Sequence, residues 1–168
     1  MTFNYYEIIF NICSLSIEKG IWIELGCHGA QLSQRMMGIF KTVIAVDIEK
    51  RFSGGSFIFY NESTDNFFNH FNEKADAIFI DADHHFENVK KDFENSLKIL
   101  NKSGIIFIHD TDPISHDYLR EDRCIDSYKI IDWIKDNYKD LDILTLPVDE
   151  AGLTLVRRNS DRRVLELI

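Results

Sequence analysis

The sequence predicts a three-layer α/β sandwich built on a doubly wound, mostly parallel seven-stranded sheet with an antiparallel last strand. Three observations predict it. Apolar runs of strand length alternate with segments whose apolar residues recur at helical spacing. The runs Ile21–Leu25, Thr42–Asp47, 77–81 and 105–109 are almost unbroken, as in strands buried on both faces. Two more runs, at 143–146 and 153–157, flank a turn from Pro147 to Gly152 and read as a closing hairpin, which brings the last strand in antiparallel.

Each element has its own signal. Phe3, Tyr6, Ile9, Phe10, Cys13 and Ile17 form a helical stripe ending near Gly20. The first strand follows at Ile21–Leu25, then a helix over 31–40 and the second strand at Thr42–Asp47. Ser53-Gly54-Gly55-Ser56 turns the chain into a third strand at 57–60, and Thr64 caps a short helix carrying Phe67, Phe68 and Phe71. After the fourth strand at 77–81, Phe86, Val89, Phe93, Leu97 and Leu100 mark a longer amphipathic helix, with Gly104 as its C-terminal stop. The fifth strand, 105–109, leads through a polar loop over 111–123 to a helix bearing Ile130, Ile131, Ile134 and Tyr138. With no internal repeat, low-complexity tract or linker, residues 1–168 read as one domain.

Composition narrows the function. An apolar content of 45% and a charged content of 28% are those of an ordinary globular protein. The net charge of −9 argues against nucleic acid as a main partner, because phosphate binding needs a basic face. Arg157, Arg158, Arg162 and Arg163 read as a solvated tail. Cys13, Cys27 and Cys124 lack C-x-x-C spacing and are odd in number, which suits reduced, intracellular thiols. No signal-peptide pattern and no run of membrane length is present, so the expected setting is cytoplasmic, away from the membrane.

The chemistry begins at Glu24-Leu25-Gly26-Cys27-His28-Gly29-Ala30, where a strand ends in an acid and a Gly-containing turn opens a helix. That arrangement places a nucleotide at the carboxyl edge of a parallel sheet. Asp47 ends the next strand, at about the spacing where a carboxylate meets ribose hydroxyls. A dinucleotide site wants G-x-G-x-x-G, but His28 and Ala30 interrupt that pattern. Glu24 would oppose a pyrophosphate and favour a cationic ligand such as a sulfonium. The loop resembles motif I of the class I, Rossmann-like S-adenosylmethionine-dependent methyltransferases, although the family's later glycine is replaced by Ala30.

Two further segments carry the resemblance: Asp81-Ala82-Asp83-His84 after the fourth strand and His109-Asp110-Thr111-Asp112 after the fifth. They resemble the D-A-D-H and H-D motifs of the small-molecule O-methyltransferase branch, over residues 21–157. The resemblance implies S-adenosylmethionine as methyl donor, held by Glu24, Gly26, Cys27, Gly29, Asp47, Ser63 and Asp81. It also implies a divalent cation, Mg²⁺ or Mn²⁺, on Asp81 and Asp110. Where relatives carry Asn after the second acid this chain has Thr111, so Asp112 or Asp83 is expected to supply the third ligand. His84 falls where metal-dependent relatives carry a catalytic lysine, and with Asp81 it is the candidate catalytic pair, as general base. Two terminal carboxylates side by side repel unless a proton or cation compensates them, which favours the cation on physical grounds as well. His109, ending an apolar strand, reads as a half-buried structural histidine. The expected acceptor is a hydroxyl on a small metabolite or sugar. A catalytically degenerate binding domain and a nicotinamide-dependent oxidoreductase are the rival readings.

Overall fold

The computed structural model describes residues 4–16 and 19–159. Phe3, Ile17, Arg162 and Arg163 therefore lie outside the described residues. The strands are β1 (Ile21–Leu25), β2 (Thr42–Asp47), β3 (Ile58–Asn61), β4 (Ala75–Ile80), β5 (Leu100–His109), β6 (Leu141–Leu146) and β7 (Leu153–Arg158). The helices are α1 (Tyr5–Ser16), α2 (Gln31–Met36), α3 (Thr64–His70), α4 (Phe86–Ile99) and α5 (Ile130–Asn137). The seven strands form one sheet in the order β3-β2-β1-β4-β5-β7-β6. β7 is inserted antiparallel to both β5 and β6, and the other pairs are parallel.

Side-chain alternation along the strands sorts the core into two layers. Ile23, Leu25, Ile44, Val46, Ile78 and Ile106 face one way, toward Phe67 of α3, Phe93 of α4 and Ile130 and Ile134 of α5. Trp22, Val43, Phe79 and Phe107 face the other way, toward Ile9 and Cys13 of α1 and Leu32 and Met36 of α2. The central strands are thus covered on both sides, which is why their sequences lack polar alternation. Among the described residues, no helix is long and apolar enough to cross a membrane.

Several boundaries differ from the sequence expectation. α2 ends at Met36, because Gly38 falls where the last turn of a 31–40 helix would lie. Ser63, not Thr64, is the N-cap of α3, with its Oγ accepting from the Asn66 N–H at 3.3 Å. α4 stops at Ile99, and β5 begins at once at Leu100. Gly104 is consequently a strand residue rather than a helix stop: a Cβ there would lie 2.9 Å from the Asp76 carbonyl oxygen of β4. The loop after β5 contains short 3₁₀ turns at His116–Leu119 and Ser127–Lys129. Arg158 is no solvated tail residue, since it donates to the Leu97 carbonyl at 2.9 Å. Finally, β1 is flanked by β2 and β4, and β5 lies beyond β4. Asp81 and Asp110 still come together because β4 and β5 are direct neighbours.

Candidate active site

The carboxyl ends of β1, β2 and β4 converge on the Gly loop. Gly26 has φ 78°, and a Cβ on it would meet the Asp81 carbonyl oxygen at 2.1 Å. Only glycine lets the loop lie against the chain leaving β4. His28 (φ 41°) and Ala30 (φ 54°) also hold left-handed conformations, so the turn keeps a glycine-like shape where the sequence lacks the glycines. The Asp47 carboxylate ties this turn to the next one. Its Oδ2 accepts from the His28 N–H at 2.8 Å and its Oδ1 from the Glu49 N–H at 3.0 Å.

A cavity of about 810 Å³ opens here, lined by Gly26, His28, Asp47 and Ser63 together with Asp81 and His84. Cys27, Gly29 and Glu24 are not among its lining residues. Glu24 is only 2% exposed and accepts a hydrogen bond from Ser33 of α2. Burial pushes its pKa up to about 8 against the opposing Ser33 bond, so at neutral pH it is mostly protonated and projects little charge into the loop.

Asp81 and Asp110 meet two imidazoles beyond the ends of β4 and β5. Asp81 Oδ1 lies 3.2 Å from His109 Nδ1 and 3.6 Å from His84 Nε2. Asp110 Oδ2 lies 3.1 Å from His84 Nε2 and 3.4 Å from His109 Nδ1. Asp110, left-handed at φ 58°, also accepts from the Cys124 thiol at 3.2 Å through Oδ1, and its carbonyl accepts from Ser127 Oγ at 2.6 Å. His84 Nδ1 faces the Arg123 carbonyl, which can only accept, so Nδ1 carries the proton and Nε2 is turned to the carboxylates.

One donor atom each from Asp81, His84 and Asp110 lie within 4.8 Å of one another, a set suited to a divalent cation. Asp112 does not join that set. Its N–H donates to the Ala151 carbonyl at 2.8 Å and its backbone packs so closely on Gly152 that a Cβ there would come within 2.5 Å of its nitrogen. Thr111 is turned into the sheet, accepting from Thr154 Oγ1 at 2.8 Å. Asp83 accepts from the N–H and Nδ1 of His85 and from Asn88 at the start of α4. Among the described residues, it is His84 rather than Asp112 or Asp83 whose donor atom lies with those of Asp81 and Asp110. His109 is the site residue whose role the sequence understated. The only available signal was a histidine directly preceding the acid at a strand end.

The two imidazoles carry the charge that offsets the carboxylates. Burial disfavours a proton on His84, but Asp81, Asp110 and the Arg123 carbonyl outweigh it and raise the pKa to about 9. The same contest at His109, won by Asp81 and Asp110, gives about 10. Burial likewise opposes charge on Asp110, yet its pKa is lowered by the His109 hydrogen bond and the charges of both histidines.

This has a consequence for stability. The histidine contribution is full below about pH 6.5 and is lost as the pH rises through about 9 and about 10. Glu24 and the buried Asp92, which burial raises to about 7 against a Thr64 hydrogen bond, are costly to ionise, so they too destabilise with rising pH. Asp110 acts oppositely and only in acid, its contribution fading as pH falls through its lowered pKa. The melting temperature of chelator-treated protein should therefore fall steadily from about pH 5 to about pH 10. A melting temperature that climbs between about pH 5 and pH 8 would contradict these assignments.

Comparison with known proteins agrees with this geometry. A family model described as "Methyltransferase domain" matches residues 25–111, which span the Gly loop, β2 to β5 and Asp110. No curated protein matches the chain. Among solved structures, an rRNA methylase from Streptococcus thermophilus aligns over 95% of this chain and 99% of its own, with TM-score 0.70 and 10% identity. An O-methyltransferase from Bacillus cereus in complex with SAH aligns over 92% of this chain and 79% of its own, with TM-score 0.62 and 15% identity. A ribosomal-protein methylase from Lactobacillus delbrueckii subsp. bulgaricus aligns over 95% and 82%, with TM-score 0.66 and 14% identity. At these identities the likeness is one of fold.

One expectation is overturned here. Nucleic acid was excluded as a partner on the net charge of −9, yet the fold is shared with a protein named as an rRNA methylase. Whole-chain charge averages over the surface, whereas an acceptor is chosen by the local walls of one site, so that exclusion does not stand. The family match over more than half the sequence and the inserted antiparallel strand agree: the chain belongs to the methyltransferase-domain family, on the fold of the class I S-adenosylmethionine-dependent methyltransferases.

Proposed function

We propose that the protein transfers a methyl group from S-adenosylmethionine to a hydroxyl, on a small metabolite or sugar, with a divalent cation at the Asp81–Asp110 pair. The observation that carries this reading is the common cavity that joins Gly26 and Asp47 to Asp81 and His84. S-adenosylmethionine supplies an activated methyl group on a sulfonium, so the protein's work is to position donor and acceptor in line and to remove the hydroxyl proton.

Gly26, closed against the chain leaving β4, borders the cavity where the donor would lie, and Asp47, already held by two backbone N–H groups, offers its remaining lone pairs to ribose hydroxyls. Ser63 borders the same cavity at the start of α3. Asp81 and Asp110, with oxygens for a hard cation such as Mg²⁺ or Mn²⁺, fit such an ion, which when bound would acidify an acceptor hydroxyl. His84 has Nδ1–H fixed on the Arg123 carbonyl and Nε2 facing the carboxylates. While those carboxylates are uncompensated, His84 keeps its proton near neutrality. With the carboxylates compensated, His84 would hold that proton less tightly, and its Nε2 would then be free to take the acceptor's proton as general base.

Donor binding can be tested separately from chemistry. Asp47→Ala should weaken S-adenosylhomocysteine binding by about tenfold to a hundredfold, equivalent to roughly 1.5–3 kcal/mol for hydrogen bonds to a charged group. Calorimetry on the folded variant measures it, and unchanged affinity would remove Asp47 from the donor site. The acceptor class is tested by methyl-label transfer from S-adenosylmethionine to a panel of hydroxyl compounds, with rRNA and ribosomal protein as separate arms. Label found on rRNA and on no hydroxyl compound would replace this reading of the acceptor.

A further inference from the structure

The family match spans residues 25–111, yet Tyr5, which lies before it, reaches the site. Tyr5, the first residue of α1, lays its ring over His109 with centroids 4.1 Å apart and planes tilted by 32°. Phe79 of β4 lies 5.9 Å from the Tyr5 ring and 6.4 Å from the His109 ring, completing an aromatic group around the imidazole. His109 Nδ1 contacts Asp81 and Asp110, while its Nε2 is buried without a hydrogen-bond partner among the described residues. The ring's orientation therefore depends on its carboxylate contacts at one edge and on the stacked tyrosine on its face. Tyr5 also lines the cavity, beside Tyr6.

What holds Tyr5 there is the distant β6–β7 turn. The Tyr5 N–H donates to Asp149 Oδ2 at 2.6 Å, and the next N–H, of Tyr6, donates to Asn4 Oδ1 at 2.8 Å, so two otherwise unsatisfied donors at the start of α1 are capped. Asp149 (φ 51°) and Glu150 (φ 65°) are both left-handed. That conformation is more accessible to Asp than to most residues. The same turn holds the loop after β5, through the Ile114 N–H to the Glu150 carbonyl at 2.9 Å and the Asp112 N–H to the Ala151 carbonyl at 2.8 Å.

We propose that Tyr5 is a positioning residue for the Asp81–Asp110 pair, acting through the His109 ring, and that Asp149 is the latch that seats Tyr5 there. This rests on the reading of the cavity as the methyl-transfer site. Removing the Tyr5 ring lets the imidazole turn, and the two carboxylates lose the wedge that fixes their spacing. Removing the Asp149 carboxylate frees the first turn of α1 with the same result, although Asp149 touches neither carboxylate.

The test uses side-chain NMR of the six histidines in metal-free full-length protein, with His109 assigned. Tyr5→Leu should remove the larger, Tyr5 share of the ring-current shift of the His109 resonances, and Tyr5→Phe should preserve it. Asp149→Ala should move those resonances toward the Tyr5→Leu position. Asp149→Asn should leave them in place, because its amide oxygen caps as well and Asn tolerates the left-handed backbone. With Mn²⁺ as the probe, Tyr5→Leu and Asp149→Ala should lose about tenfold or more in affinity, the usual effect of removing support from a metal ligand. Unmoved His109 resonances in Tyr5→Leu, or matching spectra for Asp149→Ala and Asp149→Asn, would overturn the proposal. Failure of the parent protein to bind S-adenosylhomocysteine would instead overturn the methyl-transfer reading, and the ring-current comparison would still decide the roles of Tyr5 and Asp149.

Discussion

Asp81→Asn and Asp110→Asn are each expected to lower methyl-transfer turnover by about a thousandfold while leaving the protein folded. A cation that polarises an oxygen supplies several kcal/mol of transition-state stabilisation, and about 4 kcal/mol corresponds to about a thousandfold in rate. Both acids stand at adjoining strand ends, and both contact His84 and His109. Replacing either with an amide removes one carboxylate of the pair and leaves the imidazoles with a single anionic partner. Mn²⁺ binding should disappear in both variants, with circular dichroism unchanged. Parent-like turnover in either variant would show that the carboxylate pair is structural.

His84→Ala is the second large effect, a loss of about a hundredfold to ten-thousandfold in turnover, the range for general acid–base catalysis. Affinity for S-adenosylhomocysteine should change little, because His84 acts on the acceptor's proton. Mn²⁺ affinity separates the two jobs open to Nε2: retention within a few-fold identifies the base, and its loss identifies a ligand. In the parent, turnover at saturating Mg²⁺ should rise with pH as His84 gives up its proton, and this limb should vanish in the variant. A variant as active as the parent would leave His84 with a structural role, in its contacts to the Arg123 carbonyl and the two carboxylates.

The central sheet was legible because its strands are covered on both faces and therefore read as continuous apolar runs, as at Ile78-Phe79-Ile80 and Ile105-Ile106-Phe107-Ile108. The strand-end acids were legible for the same reason, since a carboxylate stands out at the end of such a run. Boundaries set by tertiary contact were not. Gly104 looks like a helix stop, but the close approach of the Asp76 backbone makes it a strand residue. Asp112 stands out as a third ligand by its spacing, whereas the grouping of His84 with Asp81 and Asp110 depends on the fold. Nor does any local pattern reveal that Tyr5 reaches His109 or that Asp149 caps α1, because these contacts join residues far apart in the sequence. Glu24 shows the limit for charge: its identity was plain, but its burial under α2 and its raised pKa belong to the fold.

A donor site and a cation site are proposed to share one cavity. Calorimetric titration of Mn²⁺ into protein saturated with S-adenosylhomocysteine tests this most directly, in the parent and in Asp110→Asn. One-to-one Mn²⁺ binding is expected in the parent and none in the variant, with S-adenosylhomocysteine bound by both. Absence of Mn²⁺ binding in the donor-saturated parent, or methyl transfer indifferent to a chelator, would contradict that proposal.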